Sequence, residues 1–205
     1  MQKILTRVLS VPFFYSMLMR VFVAKDRNEY FEEFIGFTPN ERVLDVGCGP
    51  ANILKSLNVS IKYTGIDLNP KYISSAITQF GSFASFLNID VDELASLSFE
   101  KFDKILILGT LHHLSDDQVD SLLYNSSRLL EDDGVLLTHD PVRSINQNLT
   151  SKKLMDLDRG KFIRFEKQHL SLFEKYFNTT SEIRSNVMRF PYQIIYVHAR
   201  KKTSF

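Results

Sequence analysis

The sequence predicts an α/β domain in which a parallel sheet is covered by helices on both faces. Three observations predict it. Short apolar runs of strand length alternate with segments of helical period. The helices between them are about ten residues long, which suits right-handed crossovers. Three successive runs also end in or near a carboxylate, at Asp45, Asp67 and Asp90.

The elements follow in order. Residues 12–24 are densely apolar and read as a helix, with Ser10 as N-cap and Pro12 in the first turn. A second helix begins at Asp26, where Asp26 and Glu29 have capping-box spacing and Tyr30, Phe31 and Phe34 recur at helical intervals. "RVLDVG" (42–47) reads as a buried strand followed by helix 51–58, and "IKYTGID" (61–67) as the next strand. "PKYISSAITQF" (70–80) opens with a proline suited to a helical first turn. "ASFLNID" (84–90) and "FDKILILG" (102–109) are further strands. Ser115 and Gln118 form a capping box before helix 116–130, whose Val119, Leu122, Leu123 and Leu130 make an apolar stripe. "GVLLTHD" (134–140) is a fifth strand.

Composition narrows the partner. The 205 residues are 44% hydrophobic and 24% charged, as in one ordinary globular domain. A formal net charge of +1, with Lys and Arg spread throughout, leaves no electrostatic footprint for nucleic acid or an anionic membrane. One cysteine allows no intrachain disulfide, which fits a reducing, cytoplasmic setting. The apolar run at 8–19 is too short to span a bilayer, and bulky Phe22 disfavours signal cleavage after "VFVA". A small-molecule partner remains.

In such a sheet the ligand lies beyond the carboxyl ends of the strands. Gly47 and Gly49 sit there and let the backbone come close to a ligand. Asp67, twenty residues after Gly47, can accept both hydroxyl hydrogens of a ribose. A nicotinamide dehydrogenase shares the Gly-x-Gly and the distant acid, but here Asn52 stands where its third glycine belongs and a third acid joins the rim.

These stretches together resemble the class I S-adenosylmethionine-dependent methyltransferases. "VLDVGCGPA" looks like their first motif, "YTGIDLNPKYI" like the second and "FLNIDV" like the adenine-binding segment. "FDKILILGTLHHL" and "LLEDDGVLLTHD" look like the strand-four and strand-five motifs. The resemblance implies a Rossmann-like fold with a seven-stranded sheet of order 3-2-1-4-5-7-6, its last strand antiparallel. A hairpin of 179–188 and 193–200 turning at Pro191 suits that ending. It implies one domain, with an N-terminal helical lid (1–38), a cofactor-binding core (40–140), a substrate-side insertion and helix (141–175) and the C-terminal hairpin (176–205). S-adenosyl-L-methionine is then the cofactor, leaving S-adenosyl-L-homocysteine as product. The loop Gly47, Cys48, Gly49 would hold the methionine part, Asp67 the ribose, and Asp90 the adenine amino group. Asp45 would orient the loop or meet the ligand's ammonium. Leu68, Val91 and Leu108 would line the pocket, and Arg27 would reach the methionine carboxylate. "EDDG" (131–134) departs from the family's double-glycine turn.

The acceptor side is less constrained. No Asn-Pro-Pro-Tyr-like sequence follows strand four, and Cys48 lies in the cofactor loop, so an oxygen or amine of a small molecule is expected. His113 and His112, just past strand four, are the candidate bases. Tyr15, His139 and Asp140 are candidate acceptor contacts. Arg159, Lys161 and Arg164 form a basic cluster that could pair with a carboxylate or phosphate. No metal is expected. A catalytically silent protein that keeps the cofactor pocket is the reading from another class.

Overall fold

In this computed structural model the described residues are 32–96, 100–145, 147, 149–156, 160–185 and 192–202. The expected helix at 12–24, Tyr15, Arg27, Arg159 and the turn at Pro191 lie outside them. Seven strands form one sheet of order β3-β2-β1-β4-β5-β7-β6. They are β1 Arg42–Val46, β2 Lys62–Ile66, β3 Ala84–Leu87, β4 Phe102–Leu108, β5 Leu130–Pro141, β6 Phe177–Arg184 and β7 Ile194–Lys201. The first five pair in parallel, while β7 runs antiparallel to both β5 and β6.

Alternation along the strands splits the core in two. Leu44, Val46, Ile105 and Ile107 pack on one face with Val119, Leu122 and Leu123. Val43, Tyr63, Leu106, Leu137 and Tyr196 pack on the other with Phe34, Ala76 and Phe80. Period-2 residues thus serve opposite layers, as a sheet covered on both sides demands.

Helix α1 (Pro70–Phe80) starts where expected, with Pro70 in its first turn and the Asn69 side chain accepting from Lys71 N–H. Helix α2 (Asp116–Leu129) carries the Ser115–Gln118 capping box. Helices α3 (Leu149–Asp156) and α4 (Glu166–Ser171) follow β5.

Two local expectations need correction. The helix expected at 51–58 is a short 3-10 helix, Asn52–Ser56. Ala51 enters it in the left-handed region at φ 52°, a conformation that breaks the run of helical dihedrals a longer helix needs. The expected turn at 131–134 instead lies within β5, and the ladder shifts register there, from Phe102↔Leu130 to Lys104↔Val135. A Cβ on Gly134 would stand 2.6 Å from Leu130 Cδ2 and 3.1 Å from Asp103 O, so this irregularity needs glycine.

Candidate active site

The carboxyl ends of β1, β2, β4 and β5 converge on one rim. The β1 strand runs into Gly47 at φ 77°, and both Gly47 N–H and Cys48 N–H donate to Ile66 O at the end of β2. A Cβ on Gly47 would lie 2.3 Å from Thr110 Oγ1, so the loop passes directly against the segment leaving β4. Gly47→Ala is expected to cost about 2 kcal/mol from backbone strain and overlap together. Urea unfolding checks this, and Gly47→Ala/Thr110→Ala should recover the overlap part only. At Gly49 (φ 56°) and Gly109 (φ 71°), by contrast, a Cβ would meet nothing within 4 Å. Both glycines border open space on this rim.

Asp45 is 3% exposed and accepts a 2.5 Å hydrogen bond from Tyr63 Oη. Burial pushes its carboxyl up to about 7, with the Tyr63 bond opposing and Asp67 adding to the rise. Among the described residues no ion pair reaches it. Tyr63 was not anticipated. Its signal was Gly65, a glycine inside a strand that marks a close approach: a Cβ there would stand 3.0 Å from the Tyr63 ring and 2.8 Å from Cys48 Sγ.

Asp67 is held by two backbone donors, Gly49 N–H to Oδ2 at 2.9 Å and Asn69 N–H to Oδ1 at 2.7 Å. Burial raises its carboxyl above the usual range against the pull of these two bonds. A carboxylate has about four lone-pair sites, so two remain for further donors. Asn88 ties its main chain to β3 through a 2.8 Å bond to Asp67 O. Asp90 lies three residues beyond β3 and opens the 3-10 helix Val91–Ser96, accepting from Asp92 N–H at 3.2 Å. Asp90, Val91 and Leu108 are half-buried, while Leu68 is 66% exposed. Cys48 is half-buried in the loop, and burial drives its thiol far above the ordinary range, which disfavours the thiolate.

Strand order, glycine loop and rim acids find a match in known proteins. Residues 44–136 match the family described as methyltransferase domain. That segment runs from β1 into β5, and over it the chain is similar to methyltransferase domains. A ubiquinone biosynthesis O-methyltransferase of Nitrosomonas europaea is 29% identical over 112 residues, 53% of this chain. The chain spans about half the length of that curated relative, 47%. Among solved structures, the N-methyltransferase NodS of Bradyrhizobium japonicum in complex with S-adenosyl-L-homocysteine gives a TM-score of 0.66 at 14% identity, covering 86% of each chain. A TehB-like methyltransferase of Corynebacterium glutamicum gives 0.62 at 18%, covering 86% of this chain and 87% of that one. At these identities the likeness is one of fold.

The remaining candidate residues of the chain follow β4 and β5. His112 and His113 form a single 3-10 turn, Leu111–His113, with ring centroids 4.0 Å apart. His113 is exposed, whereas His112 is buried. The Nδ1 of His112 lies 2.7 Å from Asp140 Oδ1, which also accepts from His112 N–H at 3.1 Å. Asp140, expected as an acceptor contact, is instead 0% exposed and turned onto this histidine. His139 is half-buried and stacks on Tyr196 at 5.6 Å.

Arg164 is a second correction. Its guanidinium donates from Nε and Nη2 to Asp116, from Nη1 to Leu111 O and Phe162 O, and from Nη2 to Leu114 O. Those five bonds use all five guanidinium donors, so none is left for a substrate anion. Arg164 staples the turn that carries the histidines. A further hollow, lined in part by Gly36, Glu41, Lys104 and His198, opens at the amino ends of the strands. Its Lys104 is already paired with Glu41 at 3.0 Å and with Gly36 O at 2.8 Å, and the fold places ligands at the other rim.

Proposed function

We propose that this chain transfers a methyl group from S-adenosyl-L-methionine to an oxygen or amine of a small-molecule acceptor. The observation that carries the reading is the joint placement of Gly49, Asp67 and Asp45: an open glycine backbone flanked by a carboxylate with spare lone pairs and by a buried, uncompensated one. This donor set fits the cofactor. Asp67 would accept its ribose hydroxyls, the Gly47–Gly49 loop would admit its methionine part, and Asp45 would face its ammonium. Asp90, Val91, Leu68 and Leu108 would border the adenine. When bound, the cofactor supplies an electrophilic methyl on a sulfonium centre. The chain supplies approach geometry, exclusion of water and, where the acceptor needs it, a base. The O-methyltransferase relative favours oxygen over nitrogen among acceptors. Segments 1–38 and 141–175 would enclose the acceptor, with Tyr15, His139 and Arg159 as the residues to test there, and Arg27 would reach the cofactor's methionine carboxylate.

Calorimetric titration with S-adenosyl-L-homocysteine tests the reading, with NADH as control. Asp67→Ala is expected to weaken binding at least about 100-fold, because it removes an acceptor of charge-assisted bonds and frees the Gly49 N–H it holds. Binding of NADH in place of the homocysteine ligand would overturn the assignment.

A further inference from the structure

Asp45 and Tyr63 stand on neighbouring strands and meet on one face of the sheet. In the parallel register Asp45 is level with Gly65, so Tyr63 sits two residues back along β2. Its ring reaches forward over the space that Gly65 leaves; a Cβ there would lie 3.0 Å from the ring and 2.8 Å from Cys48 Sγ. Phe86 of β3 backs the ring at 5.9 Å between centroids. The hydroxyl ends 2.5 Å from Asp45 Oδ2, and no other hydrogen bond reaches that carboxyl from the described residues. Both residues are 3% exposed. Burial raises the phenol well above its usual range, so Tyr63 is a donor that carries no charge. The titratable groups facing Asp45 are Tyr63, Cys48 from the glycine loop and Asp67 from the end of β2, while β4 sets Leu106 beside it. Among the described residues none of these neighbours is a cation.

A buried carboxylate without a counter-ion is costly. A lysine or arginine in the place of Tyr63 would meet that cost in the unliganded protein and compete with any cation a ligand brought. A phenol orients the carboxyl and leaves its charge unmet.

We propose that Tyr63 is the positioning residue for the amino-acid end of the ligand: it holds Asp45 for the ammonium without neutralising it, and binding expels a proton from Asp45 to solvent. This deepens the methyltransferase reading of the site and rests on it. Burial pushes the Asp45 carboxyl up to about 7, so at pH 6 the unliganded protein carries the proton. The ligand's ammonium arrives already charged. The Asp45 O–H bond breaks with its electron pair left on oxygen, the proton passes to solvent, and the ammonium donates to the carboxylate so formed. Tyr63 keeps Oδ2, which leaves Oδ1 for the ligand. The liganded protein holds fewer protons than the unliganded one, so affinity rises with pH until the carboxyl ionises by itself. A thioether nucleoside without the amino-acid end leaves Asp45 protonated, and its affinity does not follow this limb.

The test is calorimetry with S-adenosyl-L-homocysteine and with 5′-methylthioadenosine, which keeps the ribose and adenine but has no ammonium. It runs between pH 5.5 and 7.0 in two buffers of different ionisation enthalpy. At pH 6 wild type should release about one proton per S-adenosyl-L-homocysteine bound and none with the nucleoside, and its affinity for the first should rise about tenfold per pH unit. Asp45→Asn should abolish the release. Tyr63→Phe removes the bond that favours the ionised carboxyl, so S-adenosyl-L-homocysteine should bind about tenfold more weakly at pH 6.5, with its pH limb moved upward and nucleoside affinity held. Absence of proton release in wild type, equal release with both ligands, release that persists in Asp45→Asn, or an unmoved limb in Tyr63→Phe would each overturn the proposal. So would a Tyr63→Phe variant that loses both ligands alike, as a packing defect would. Failure of wild type to bind S-adenosyl-L-homocysteine would instead remove the methyltransferase reading beneath it.

Discussion

Replacing Arg164 with Met should lower the free energy of unfolding by about 3 kcal/mol, the cost of stranding carbonyls that a buried guanidinium had satisfied. The residue is 8% exposed, and three of its five bonds go to the main chain of Leu111, Leu114 and Phe162. Asp116 returns to water when the pair is broken, since its side chain is 74% exposed, and it adds little to the loss. Arg164→Lys should recover only part of the stability, because an ammonium cannot reproduce the planar fork that spans the turn. Urea unfolding gives the number. A variant of unchanged stability that loses only affinity for an anionic acceptor would return Arg164 to the acceptor site.

The second large effect is electrostatic. Asp45→Asn should stabilise the unliganded protein at pH 8 by up to roughly 4 kcal/mol, from a carboxyl pushed to about 7 against 3.8 when unfolded. The sign follows from proton counting. Between pH 4 and 7 the folded chain holds a proton on Asp45 that the unfolded chain has released, so this group makes wild type less stable as pH rises through that window. Above it the buried charge is fully unfavourable; below pH 4 both states are protonated and the variant's advantage is gone. Asn keeps an oxygen for Tyr63 Oη, so the bond at that position survives. The same variant should bind S-adenosyl-L-homocysteine more weakly, since it no longer presents a negative charge to the ligand's ammonium. Unfolding at pH 5 and pH 8 separates the cases: a variant less stable than wild type at pH 8 would show Asp45 ionised and paired in the free protein.

These residues also show what could be read in advance. Pro70, Asn69 and the Ser115–Gln118 box announce their helices because capping is local: donor and acceptor lie within a few positions of each other. The rim of Asp45 and Asp67 was legible for a similar reason, since each ends a strand whose apolar pattern fixes its place. The partnership of His112 with Asp140 joins positions 28 apart through the alignment of β4 with β5, and no spacing rule encodes it. Arg164 reads in sequence as one of a surface cluster, and only the packing of the segment before α4 against the histidine turn buries it. The short helix after Gly49 was overestimated because its composition is helical; the left-handed dihedral at Ala51 that limits it leaves no compositional trace.

The position of β7 between β5 and β6 sets an order of assembly. Strands β1 to β5 find their neighbours among themselves, and all are in hand once residue 141 has been made. The sixth strand precedes β7 in the chain yet touches the sheet only through it, so its backbone donors and acceptors must wait for Ile194–Lys201. Closure of that loop is the long-range step that joins the end of the chain to its centre, where Ile195, Val197 and Ala199 complete a core begun by β1. During synthesis the parallel half therefore exposes the β5 edge for as long as it takes to make some fifty residues more, an interval in which a chaperone, or a second nascent chain, meets an unpaired strand.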